Sequence, residues 1–147
     1  MHATIRTTST SRRTVALVLT TLIALLASTG CDRAMAGRSQ TLANEARNAR
    51  GTHSLVWDEQ AATKAQAWAN HLASQGSLAH SRLTDGMSGY SALAENVGYA
   101  SSVEAVHDLF MNSSQHRKNI LGGQYTSIGV GVAQANGSYY VVQVFKG

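Results

Sequence analysis

The stretch that decides the fold is residues 128–145, which read IGVGVAQANGSYYVVQVF. In residues 128–132, isoleucine and valine alternate with glycine, and a period of two is typical of a β-strand. Asn136-Gly137 is the dipeptide preferred in a type I′ turn. Residues 139–145 then form a second run that is apolar on both faces. We therefore predict a β-hairpin at the end of the chain.

A strand that is apolar on both faces needs to be covered on both sides. The hairpin therefore predicts a three-layer α/β/α arrangement rather than an open sheet. Gly129 and Gly131 leave one face of the first strand without side chains, so a helix can approach it closely. We expect Gly129→Val to be poorly tolerated, because that face has no room for a branched side chain.

Helical periodicity precedes the hairpin. Ser39 is predicted to cap a first helix that ends at Gly51, and Asp58 a second that ends at Gly76. The apolar stripe of the second helix contains one large residue, which we expect to anchor the helix on the sheet. The stripe consists of Ala61, Ala65, Trp68 and Leu72.

Periodicity is lost in residues 77–100, which predicts a long irregular segment of the kind that often carries function. Ser101 and Glu104 then form a capping box that opens a third helix. Its apolar face contains Val103, Val106 and Phe110, and a further helical turn is expected through Ile120 and Leu121.

The first 36 residues are interpreted as a signal peptide and residues 37–147 as a single domain. An arginine-containing start precedes 14 uncharged residues, too few to span a membrane. Cleavage after Ala34-Met35-Ala36 would release a soluble protein. Alternatively, Ser28-Thr29-Gly30-Cys31 resembles a lipobox, in which Cys31 is lipidated. Either alternative predicts an exported protein, periplasmic or extracellular, with a membrane contact only through a lipidated Cys31.

Charge and cysteine content exclude several classes of protein. Removing residues 1–36 leaves 8 of the 12 basic and 7 of the 8 acidic residues, a net charge near +1. Such a balance gives no reason to expect nucleic acid or an anionic membrane as a partner. Cys31 is the only cysteine, so the domain has no internal disulfide. Packing has to stabilise it, and we expect a monomer.

Three polar residues lie in or beside the irregular segments, where side chains can converge. His80, Glu95 and His116 are a legitimate ligand set for zinc, with a fourth position left for water. The alternative is a hydrogen-bonded cluster that only connects loops. Three further histidines have structural or solvated interpretations on these patterns. They are His53, His71 and His107.

Short motifs in one order surround these residues, and together they closely resemble a bacterial member of the CAP superfamily, the cysteine-rich secretory, antigen 5 and pathogenesis-related (SCP-like) proteins. The resemblance covers about residues 41–146. The motifs are Asn44-Glu45-Ala46-Arg47, Leu55-Val56-Trp57-Asp58, Ala67-Trp68-Ala69, Gly76-Ser77-Leu78-Ala79-His80-Ser81, Ala94-Glu95-Asn96-Val97, Asn112 to Leu121, Ile128-Gly129-Val130-Gly131-Val132 and Tyr140-Val141-Val142-Gln143-Val144-Phe145.

The resemblance implies an α-β-α sandwich of the α/β (α+β) class around a small, mainly antiparallel sheet. It also implies a large cleft lined by two histidines and two acidic residues, which in some members binds zinc or another divalent ion. By motif, His80, Glu95 and His116 match three of the four positions. The fourth falls on Ser113, a neutral residue that should lower the affinity for a divalent ion.

Two classes of function follow. The resemblance favours a binding module whose cleft holds a lipid, another small apolar ligand or a cell-wall fragment, or whose surface holds a protein partner, with His80, Glu95, Ser113 and His116 lining the cleft. The alternative is a metal-dependent peptidase or esterase with His80, Glu95 and His116 as candidate catalytic residues, Glu95 acting as general base. The cofactor would then be zinc or another divalent cation.

Overall fold

Four helices and four strands form the regular structure of residues 30–147, the part of the chain that the computed structural model describes. Residues 1–29, which hold most of the predicted signal peptide and the start of the lipobox-like motif, lie outside the described residues. In chain order the elements are α1 (residues 30–48), β1 (Val56–Trp57), α2 (Glu59–Gln75), β2 (Leu93–Ala100), α3 (Val103–Asn112), α4 (Ser114–Leu121), β3 (Ser127–Ala135) and β4 (Ser138–Lys146).

The predicted hairpin is confirmed and lies at the centre of the sheet. Strands β3 and β4 pair antiparallel around Asn136 and Gly137, whose φ angles are 51° and 74°. Positive φ at both central residues is what a type I′ turn requires. The sheet order is β1-β3-β4-β2, with β1 parallel to β3 and the other pairs antiparallel.

Helices cover both faces of the sheet, so the predicted three-layer arrangement is confirmed. On one face, the alanine-rich side of α2 packs against apolar side chains of β2 and β4. On the other, α1, α3 and α4 contribute to a core that contains Phe110, Ile120 and Phe145, each at most 1% exposed. Within residues 30–147, no helix has both the length and the hydropathy of a membrane span.

The predicted close approach at the glycine face is also confirmed. A Cβ atom added to Gly129 would lie 2.0 Å from the backbone nitrogen of Ala62, and one added to Gly131 would lie 2.2 Å from the carbonyl carbon of Ala65. These distances are far shorter than a van der Waals contact. The backbone of α2 therefore lies directly on β3.

The prediction for Trp68 is wrong, because the residue is not buried between helix and sheet. Ala65, Ala69 and Leu72 occupy that interface and are at most 1% exposed. Trp68 is only partly buried, stacks on His71 and donates from Nε1 to the carbonyl oxygen of Ala79 at 2.8 Å. Because α2 is so close to β3, only small side chains fit between them.

Two predicted helix starts are also wrong. Residues 30–48 are continuously helical, so Ser39 lies inside α1, where its buried hydroxyl accepts a hydrogen bond from Gln143 Nε2 at 3.0 Å. The cap of α3 is Ser102 and not Ser101, because the Ser102 hydroxyl accepts from the backbone N–H of Ala105. Asp58 caps α2 as predicted, and Gly76 ends the helix in the left-handed conformation.

The segment 77–100 is irregular only in its first part. Residues 93–100 form β2, which pairs with β4 along its whole length. The polar residues Glu95 and Asn96 interrupt the apolar alternation of this strand, and both are buried. The alternation of apolar residues therefore does not predict this strand, because two of its buried positions are polar.

Candidate functional site

Glu95 lies on the sheet face that α2 covers. Alternate residues of a strand share a face, and Val97, two positions further along β2, packs with α2. The Glu95 side chain is only 3% exposed. A buried carboxylate needs hydrogen bonds, and the segment that follows α2 supplies them.

Three donors surround the carboxylate. Glu95 Oε1 accepts from the backbone N–H of Ser81 at 2.9 Å and lies 2.8 Å from His80 Nδ1. Glu95 Oε2 accepts from the Ser81 hydroxyl at 2.6 Å. Both oxygens are therefore already hydrogen-bonded within the protein.

His80 is oriented by this contact. A carboxylate oxygen accepts, so Nδ1 carries the ring hydrogen and Nε2 of the neutral imidazole is left with a lone pair. The His80 side chain is 62% exposed. The Glu95–His80 pair therefore directs one basic nitrogen towards solvent.

His116 belongs to the same cluster. Its ring lies against Phe110, with 5.1 Å between the ring centroids. Burial, and next the charge that His80 carries when it is protonated, lower the pKa of His116 below its usual value. Asn119 of α4 donates from Nδ2 to the carbonyl oxygen of Glu95 at 3.4 Å, which places α4, and with it His116, beside the Glu95–His80 pair.

A buried polar network positions α4 and thereby His116. Asn96 is fully buried, and its Nδ2 donates to the carbonyl oxygen of His116 and to Gln143 Oε1, both at 3.1 Å. Its Oδ1 accepts from Asn119 Nδ2 at 2.9 Å, and Gln143 extends the network to Ser39 of α1.

The sequence alone did not predict these roles of Asn96 and Gln143, or the role of Ser81. A polar residue within an apolar strand, as at 96 and 143, was the available signal.

Ser113 lies between α3 and α4. Its hydroxyl accepts from the backbone N–H of His116 at 3.5 Å and caps α4. This residue, which the resemblance aligns with an acidic position, therefore has a local structural role that a serine fulfils well.

The residues do not fit a divalent cation as they are arranged. Both oxygens of Glu95 are engaged, Ser113 adds no charge, and no group of three or more histidine, cysteine, aspartate or glutamate side chains within residues 30–147 is placed to hold a metal ion. A cation would have to displace Ser81 or His80 from the carboxylate. We derive no chemical step from a metal.

The remaining histidines lie in structural or solvated positions, as predicted. His53 Nε2 donates to the carbonyl oxygen of Tyr125 at 2.9 Å, and His71 is exposed and stacks on Trp68. His107 is 9% exposed. None of the three contacts the Glu95 carboxylate.

A cavity of the described chain adjoins this cluster without including its histidines. It has a volume of about 710 Å³ and lies between the outer side of α2 and residues 81–86. Ser81 is the one residue that both lines this cavity and contacts Glu95.

Comparisons with solved structures show the same fold in exported bacterial proteins. An extracellular SCP-domain protein of Bacillus anthracis is 26% identical with a TM-score of 0.73, and covers 81% of this chain but only 42% of its own. An outer surface protein of Borrelia burgdorferi is 15% identical with a TM-score of 0.67, over 73% of this chain and 87% of its own.

A cysteine-rich secretory protein of Staphylococcus aureus is 23% identical with a TM-score of 0.64. That match covers 78% of this chain and 39% of the S. aureus chain. The present chain thus spans less than half the length of two of these relatives. A comparison with curated protein sequences finds no match.

The model of the cysteine-rich secretory protein (CAP) family matches residues 40–145, which include all four strands except the last residue of β4, together with His80, Glu95 and His116. The match extends over most of the chain and agrees with the sandwich fold. The chain therefore belongs to the cysteine-rich secretory protein family.

Proposed function

We propose that this chain is an exported binding module whose polar anchor is the His80, Glu95 and His116 cluster. The observation that carries the proposal is the state of the Glu95 carboxylate. It is buried and hydrogen-bonded at both oxygens, so it orients His80 and is not itself available to a substrate or a water molecule.

The cluster suits a ligand that combines an apolar body with a hydrogen-bond donor. His80 Nε2 accepts a hydrogen bond from a hydroxyl or a protonated acid. Leu78, two residues earlier in the chain, is 45% exposed and offers apolar surface in the same segment. A lipid is therefore the class of ligand that we propose. The extracellular B. anthracis relative and the signal-like first residues support export.

The second candidate is hydrolysis, and one observation favours it. A carboxylate that holds Nδ1–H of an imidazole leaves Nε2 able to accept a proton, which is how histidine acts as a general base. In this form His80 would deprotonate a water molecule. Glu95 would position His80, in contrast to the metal-dependent alternative in which Glu95 is itself the base.

Titration with 1-hexadecanol, an apolar chain whose hydroxyl can donate to His80 Nε2, tests the binding proposal. His80→Ala removes the exposed nitrogen and is expected to weaken binding about tenfold, since one lost hydrogen bond of about 1.4 kcal/mol has that effect. His71→Ala is the matched control, because it removes an exposed imidazole outside the cluster. Equal affinities of wild type and His80→Ala, or no binding at all, would overturn the proposal.

A p-nitrophenyl ester assay on the same proteins separates the two candidates. Hydrolysis that His80→Ala abolishes, with hexadecanol binding absent, would establish the second. Ser113→Glu adds a negative charge at the fourth position and should raise the affinity for zinc above that of wild type, as measured by calorimetric titration.

A further inference from the structure

A second binding feature lies on the outer side of α2. The cavity of about 710 Å³ is within the range of small-molecule sites. It is bounded by one face of α2 and by residues 81–86, and we call it the α2 groove. The lining residues used below are Gln60, Lys64, Trp68, His71, Arg82 and Asp85.

The walls of the α2 groove are held in place by hydrogen bonds. Lys64 Nζ donates to the carbonyl oxygens of Arg82 at 2.7 Å and Asp85 at 3.0 Å. Gln60 exchanges two hydrogen bonds with Ser88, one to the backbone and one to the hydroxyl. A site held in this way loses little entropy when a ligand binds.

Two stacked rings form one side of the groove. The ring centroids of Trp68 and His71 are 4.6 Å apart and the planes are inclined by 25°. The Trp68 N–H is already bonded to Ala79, which fixes the indole. Each ring covers one face of the other, so a ligand meets only the outer faces and edges of the pair, and a flat aromatic surface of this kind suits the C–H face of a sugar.

The charged groups at the rim are free to meet a ligand. Within the described residues, neither the Arg82 guanidinium nor the Asp85 carboxylate forms a hydrogen bond or an ion pair. With Lys64, the rim carries one net positive charge. A free guanidinium binds a carboxylate through two parallel hydrogen bonds, and Asp85 accepts from hydroxyls.

We propose that the α2 groove binds a sugar that carries a carboxylate, with the ring on Trp68 and the acid on Arg82. This proposal is independent of the lipid site, since the groove shares only Ser81 with the His80 and Glu95 cluster. Size, aromatic surface, hydroxyl acceptor and net charge each agree with this class of ligand.

Calorimetric titration of the exported protein with two matched sugars tests the proposal. N-acetylmuramic acid has the ring of N-acetylglucosamine plus a carboxylate on a lactyl group. We expect the acid to bind about tenfold more tightly than the neutral sugar, and Arg82→Gln to abolish that preference. Trp68→Ala should weaken both sugars, because it removes the ring on which the sugar is proposed to lie.

Two controls keep the result specific. Arg50→Gln removes an exposed arginine at the end of α1 and should leave both affinities unchanged. His116→Ala alters the lipid site and should also have no effect. No binding of either sugar at millimolar concentration, or a preference for the acid that survives Arg82→Gln, would overturn the proposal, and so would a loss of binding in His116→Ala.

Discussion

Arg47 illustrates how much one residue contributes to this fold. Its side chain is completely buried, and its guanidinium donates to the carbonyl oxygens of His53, Ile120, Gly122 and Tyr125 at 2.7–3.1 Å. Burial lowers the pKa of Arg47 below its usual value. Carbonyl dipoles at the C-terminal end of α4 compensate the charge. The residue thereby fastens α1 to the turn that leads into β3.

His107 is also buried, but its hydrogen bonding differs from that of Arg47. It is 9% exposed, and within the described residues its Nδ1 has no hydrogen-bond partner. Burial is the main cause that lowers the pKa of His107 below its usual 6.5, and the charge of Arg38 acts in the same direction. The negative charges of Asp108 and Glu45 oppose this shift without cancelling it.

The lowered pKa of His107 predicts a loss of stability in mild acid. Below the unfolded-state pKa of about 6.5 the unfolded chain binds the proton more readily than the folded protein, so acid favours unfolding. The free energy of unfolding should therefore fall between about pH 7.5 and pH 5.5, as measured by urea denaturation at each pH.

His107→Leu is the variant that identifies the source of this effect. His116, whose pKa is also lowered, contributes with the same sign. On acidification, the free energy of unfolding of His107→Leu should therefore fall less than that of wild type, but it should still depend on pH. Identical losses in wild type and His107→Leu would show that His107 is not the group responsible.

At the scale of elements, the contact between α2 and β3 leaves no room for a side chain on the glycine face. Even a methyl group at position 129 would overlap the backbone of Ala62, which cannot yield as a flexible side chain can. We therefore expect Gly129→Ala to destabilise the protein by about 3 kcal/mol, at the upper end of the usual range for overpacking.

Gly123→Ala is the matched control for Gly129→Ala. A Cβ atom there meets nothing within 4 Å, so the change should stay within about 0.5 kcal/mol. Both values follow from thermal unfolding monitored by circular dichroism. A melting temperature of Gly129→Ala equal to that of Gly123→Ala would mean that α2 lies further from β3.

The elements also show where sequence patterns are reliable. The hairpin and α2 were predicted because turn chemistry and capping are local properties. Strand β2 was missed because Glu95 and Asn96, which serve the site, break its alternation. Trp68 was placed wrongly because a helical stripe gives the buried side of α2 and not its distance from the sheet.

At the scale of the whole molecule, the N-terminal boundary affects the core. Ala36 is 2% exposed and belongs to the core that α1 and α3 share, and Met35 packs against it. A chain that starts at Gly37 lacks both side chains. We expect it to be less stable than a chain that starts at Asp32 by about 1–2 kcal/mol, from the apolar area lost.

Urea unfolding of the two chains tests this expectation. A lower stability of the shorter chain would favour processing at Cys31, which is exposed in α1, over cleavage after Ala36. Equal stability would mean that residues 32–36 are dispensable, and cleavage after Ala36 would then be preferred.

The sequence by itself determined the layers, the hairpin and the helix ends at Asp58 and Gly76, and its motifs gave His80, Glu95 and His116 as candidate site residues. Periodicity, turns and caps depend on neighbouring residues, so they can be recognised along the chain. Only the tertiary structure decided that Ser81 and His80 occupy both oxygens of the Glu95 carboxylate, that Asn96 positions α4 through a hydrogen bond, and that Arg47 is buried. These contacts join residues 14 to 78 positions apart, and their geometry exists only once the layers are packed.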